Sequence, residues 1–124
     1  MRSVPLWPFS QVLHSAAYLR APEAPLLLRA LETYRRGASY AERPRRRRRY
    51  YDDNAWITLA LLDHGDVAAA RRIQDFLIEG CVRLDDGTVG VRWHEDAPTL
   101  HACSTGATGL VALRLAERLP DAER

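Results

Sequence analysis

The chain has 124 residues, 47% of them hydrophobic and 27% charged. That reads as one soluble globular domain with enough length to bury a core. A net charge of +2, carried by arginines with no lysine at all, implies no partner by itself, and no apolar run approaches the roughly 20 residues of a membrane span.

In chain order, the apolar spacing predicts a first helix from Ser10 to about Leu19, capped by Ser10, with Val12, Leu13, Ala16, Ala17 and Leu19 as its apolar set. Pro22 and Pro25 mark a break. A second helix is expected from about Pro25 to Arg36, with Leu27, Leu28, Leu31 and Tyr34 on one face and Gly37 as its stop. Residues 37–49 read as a loop whose five consecutive arginines, Arg45 to Arg49, repel one another and stay solvated. Those arginines and the tyrosines after them also allow a polyanion-binding reading. A near-neutral chain without a recognised binding motif argues against nucleic acid.

A third helix is expected to begin at Asp52-Asp53 and end near Asp63-His64-Gly65. Residues 55–62 are apolar all round except Thr58, so this helix should be buried on every side. The fourth, from an Asp66 cap to Glu79 with Gly80 as stop, has one apolar stripe of Val67, Ala70, Ile73, Phe76 and Leu77 and should lie outside. An inner helix followed by an outer one is the unit of a helical barrel or solenoid. Short strand character is expected around Val89 to Trp93, then a last helix from about Ser104, its cap, to Leu119. Cys81 and Cys103 lack metal spacing and read as buried thiols. His94, Glu95, Asp96 and His101 lack the spacing of a metal motif, so no metal and no cofactor is expected.

The chemistry concentrates in Tyr50-Tyr51-Asp52-Asp53-Asn54-Ala55-Trp56. Adjacent carboxyls before a buried helix repel, and burial raises the pKa of at least one. Taken alone, the pair is ordinary helix-capping chemistry. As a pair they suit glycoside hydrolysis, in which one carboxylate attacks the anomeric carbon and the other donates and then accepts a proton. Neighbouring positions favour the closer spacing of retaining enzymes, about 5–5.5 Å. Trp7, Tyr50, Tyr51, Trp56 and Trp93 fall near expected helix ends or loops, where rings can stack on sugar faces.

The aspartate string and the following Ile57-Thr58-Leu59-Ala60-Leu61-Leu62 resemble the signature of glycoside hydrolase family 76, the endo-α-1,6-mannanases and their relatives. Leu6-Trp7-Pro8-Phe9-Ser10-Gln11 and Ala102-Cys103-Ser104-Thr105-Gly106 are similar to two further stretches of that family, in the same order. The resemblance implies an all-α fold of helical hairpins from an (α/α)6 barrel. It implies Asp52 as nucleophile and Asp53 as acid/base, acting with retention on α-mannan or a related oligosaccharide. Trp7, Tyr50, Tyr51, Asn54, Trp56 and Trp93 would form the substrate groove. Twelve helices of about 11 residues with connections of about 4 need roughly 180 residues. Residues 1–124 should therefore form one partial barrel, either a fragment or a remnant that pairs with another chain, whose open edges favour self-association. The alternative is a catalytically inactive helical module on the same scaffold that binds glycan or protein. With no signal peptide visible, the reading is cytoplasmic.

Overall fold

In the computed structural model, which describes residues 3–120, five α-helices carry the fold, and two small β-hairpins join them. The helices are α1 (Leu6–Tyr18), α2 (Ala24–Leu31), α3 (Tyr51–His64), α4 (Val67–Glu79) and α5 (Ala102–Ala116). The chain is thus mostly helical. The hairpins, β1 (Arg35–Arg36) with β2 (Ser39–Tyr40) and β3 (Cys81–Arg83) with β4 (Val89–Val91), are antiparallel.

Helix α3 is the hub, packed against α1, α4 and α5. Its all-round apolar sequence explains this, since Ala55, Ile57, Leu59, Ala60, Leu61 and Leu62 are all buried. Gly65 ends it in the left-handed conformation at φ +93°, which a side chain would strain. Asp66 then caps α4, its carboxylate accepting from Ala69 N at 2.9 Å. Helix α4 buries Ala70, Ile73, Phe76 and Leu77 and leaves Arg71, Arg72 and Asp75 exposed, the one-sided pattern its sequence dictates.

Several boundaries differ from the sequence reading. Helix α1 starts at Leu6, with Pro5 as cap and Pro8 in the first turn, where a missing N–H costs nothing. Ser10 is therefore a buried interior residue, its hydroxyl donating to the Trp7 carbonyl at 2.6 Å. The second helix stops at Leu31, followed by one 3-10 turn over Glu32–Tyr34. Arg35 and Arg36, expected to be helical, form β1, and Gly37 turns that hairpin at φ +64°. Ser104 is buried inside α5, whose cap is His101, so it does not cap the helix. Neither cysteine is buried: Cys81 is half-buried and Cys103 exposed.

Gly80 is required by contact, not by its backbone angle. A Cβ there would lie 2.7 Å from the Tyr51 ring, which stacks on Phe76 at 4.6 Å. Across the far end of the helices, Asp63 of α3 accepts from Arg114 of α5 and pairs with His14 of α1, both at 2.6 Å. Burial works against the Asp63 carboxylate, but those two bonds outweigh it and hold its pKa below the ordinary value.

Candidate active site

The first turn of α3 is locked in place from both sides. On one side Tyr51 N donates to Trp93 O at 2.9 Å, and Tyr50 forms an antiparallel bridge with His94. On the other, Asn54, with no exposed surface, donates to Tyr40 O at 2.9 Å and Tyr50 O at 2.8 Å and accepts from Tyr40 N at 2.8 Å. All the hydrogen bonds of the Asn54 side chain go to backbone, so it is a clamp between the β1–β2 hairpin and α3.

This clamp sets Asp52 and Asp53 at the floor of an open cleft of about 400 Å³. Trp7, Tyr50 and Trp93 provide its aromatic walls, and Pro5, Glu42 and Arg43 complete its edge. Trp7 is 52% and Trp93 40% exposed, so both rings have free surface for a ligand. The Tyr50 ring meets Trp93 edge-on at 5.1 Å, and Trp93 stacks on His101 at 5.1 Å, which fixes that wall. A larger hollow of about 550 Å³ near Ala17, Pro22 and His64 has Asp63 as its one acid and no paired carboxyls.

The two aspartates sit in different environments. Asp53 is 8% exposed, and its pKa is pushed up to about 7 by burial first, then by the charges of Asp52 and Glu42. No hydrogen bond from the described residues reaches its carboxyl to offset this. Asp52 is half-buried; its Oδ1 accepts from Asp53 N at 2.9 Å, and the Cys103 thiol donates to its Oδ2 at 3.6 Å. Neither aspartate is the helix cap. That position is Tyr50, which makes no side-chain cap bond; Asp52 satisfies a first-turn N–H, that of Asp53, so helix-start chemistry accounts for Asp52 but not for Asp53.

Of the residues assigned to a sugar groove, the fold brings Trp7, Tyr50 and Trp93 to the cleft with Asp52 and Asp53. Tyr51, Asn54 and Trp56 do not line it. Tyr51 is 1% exposed and points the opposite way, into the stack with Phe76, because consecutive helix positions face different directions. Asn54 is the backbone clamp. Trp56 stands one turn beyond Asp52, but its ring packs toward His14, at 6.0 Å, and the core. Glu42 and Arg43 were invisible as cleft residues in the sequence, since Glu42 reaches it only through long-range pairing of its carbonyl with Leu6 N at 2.8 Å.

The 37–49 loop is also not uniformly solvated. Arg49 is half-buried, bonded to both Glu95 carboxylate oxygens and to Ser39 Oγ at 2.9 Å, with its guanidinium 4.4 Å from the Phe76 ring centroid. That bond to Arg49 is the main reason the Glu95 pKa is lowered. Among the described residues no group of three or more His, Cys, Asp or Glu is placed to hold a metal ion. None of the described helices is long and apolar enough to cross a membrane. No family model matches the chain, and no curated protein matches its sequence, so the family resemblance rests on the quoted motifs.

Proposed function

We propose that the cleft is the two-carboxyl centre of a retaining glycoside hydrolase acting on α-1,6-linked mannan. The observation that carries this reading is the difference between neighbouring carboxyls. Asp53 is buried and proton-holding up to about pH 7, while Asp52 is more open and beside it. A buried carboxyl that keeps its proton beside a more open one suits a division of the acid and nucleophile roles between them.

In the first step the Asp52 carboxylate attacks the anomeric carbon while the Asp53 proton passes to the leaving glycosidic oxygen. In the second, the Asp53 carboxylate takes a proton from water as that water attacks the anomeric carbon, and the bond to Asp52 breaks. Trp7, Tyr50 and Trp93 bind the sugar faces. The choice of mannan comes from the motif resemblance. The partial (α/α)6 barrel is supported by α3 packing against both α1 and α5, with α4 packed on α3 and α5.

Asp52→Asn and Asp53→Asn test the roles separately. Each should lower the hydrolysis of α-1,6-mannan by at least about 10²-fold while the helical circular dichroism is retained. Undiminished turnover in either variant would remove that residue from the mechanism.

A further inference from the structure

The arginine turn beside the cleft is not accounted for by the reaction. Glu42 N donates to Arg48 O at 2.9 Å, and Arg46 N to Arg43 O at 3.1 Å, closing residues 42–48 into a tight turn. Arg45 takes a left-handed conformation at φ +62° within it. Arg45, Arg46, Arg47 and Arg48 are all exposed, and among the described residues no ion pair engages them. Four cations held within so few residues repel one another; the charges of Glu42 and Asp96 act on Arg48, but among the described residues no carboxylate forms an ion pair with any of the four.

The turn is continuous with the cleft edge. Glu42 and Arg43, its first residues, line the cleft, and its last residue, Arg48, stands two positions before Tyr50 of the aromatic wall. We propose that this turn selects glycans carrying anionic substituents, phosphate or carboxylate, with the neutral sugar in the cleft and the charged group on Arg45–Arg48. This rests on the glycan reading of the cleft and names its substrate class more narrowly. The cleft itself distinguishes such a ligand from nucleic acid. Asp52 and Glu42 would repel a continuous phosphodiester chain drawn through it, whereas a glycan is uncharged there and bears its charge outside. Guanidinium groups suit both phosphate and carboxylate.

The test measures equilibrium binding, by calorimetry, of phosphorylated, carboxymethylated and unmodified α-1,6-mannan. It uses the unaltered chain, the same chain with Asp52→Asn to prevent turnover, and a variant with Arg45, Arg46, Arg47 and Arg48 all changed to Gln. The unaltered chain should prefer at least one charged mannan by about tenfold over the neutral one, and the Gln variant should lose that preference. Which charged mannan is preferred identifies the substituent. A salt titration of the unaltered chain keeps the test decisive if the Gln variant misfolds, because the preference must shrink as salt rises. Equal affinity for charged and neutral mannan, a salt-independent preference, or tighter binding of single-stranded RNA than of any mannan overturns the proposal. Arginine-dependent binding without product release would refute hydrolysis and leave this selection standing. Hydrolysis with no charge preference would do the reverse.

Discussion

Replacing Asp53 by Asn should make the protein more stable relative to the parent as pH rises. The Asp53 carboxyl has a pKa of about 7 in the fold against an ordinary 3.8. A raised carboxyl pKa means that the folded state holds the proton more tightly than the unfolded chain does. Its contribution is therefore fully present below about pH 4 and is lost as pH rises toward 7. At about 1.4 kcal/mol per tenfold change in proton affinity, the loss approaches 4 kcal/mol above pH 7, an upper bound because burial relaxes when the group ionises. Asn is nearly the same size and carries no charge, so it removes this pH-dependent loss. Urea unfolding followed by tryptophan fluorescence would show it. The stability of Asp53→Asn minus that of the parent should grow by about 2–4 kcal/mol between about pH 4 and pH 8. Any fixed cost of the amide cancels in that comparison. A difference that stays flat across this range would refute a buried, proton-holding Asp53, and with it the acid role.

Asn54→Leu leaves the buried N–H and C=O of Tyr40 without partners and should cost about 2–4 kcal/mol by chemical denaturation; a near-neutral result would contradict the clamp. Gly80→Ala drives a Cβ into the Tyr51–Phe76 stack and should lower stability by about 1–3 kcal/mol, visible as a reduced Tm. Asp63→Asn should destabilise by about 1–3 kcal/mol at neutral pH, with the gap closing as pH falls through the lowered Asp63 pKa. Constant destabilisation at all pH values would show that the His14–Asp63–Arg114 link is not ionic. The exposed Val12, Leu19 and Leu113 predict concentration-dependent association in sedimentation velocity; a strictly monomeric protein would argue against open helical edges.

The helices were legible where one physical signal dominated. Residues 55–62 had to be buried all round, and the Asp66 cap with its Phe76 and Leu77 stripe fixed α4 almost to the residue. The first hairpin was not legible, because β1 and β2 are two residues each and are held by the Asn54 side chain, a contact from outside the segment; the strand character expected from Val89 to Trp93 appears as β4. The start of α1 was missed because Ser10 has the chemistry of a cap and Pro8 looks like a break, though proline also fits a first turn. At the site, the paired aspartates and Tyr50 stand in the string, while Trp7 and Trp93 come from distant stretches that only the fold brings to the same cleft. Tyr51 and Tyr50 could not be told apart there, since the helix begins between them: Tyr50 is an extended cap and Tyr51 the first helical residue. Arg49 looked like its four neighbours, and only the fold reveals Glu95 waiting for it.

The most direct test of the two-aspartate account is proton NMR of the first sugar released when the protein is incubated with α-1,6-mannan. The account predicts reducing ends that appear first in the α configuration, with the signal lost in Asp52→Asn and in Asp53→Asn. Products that appear first as β, or release that persists in both variants, would contradict it.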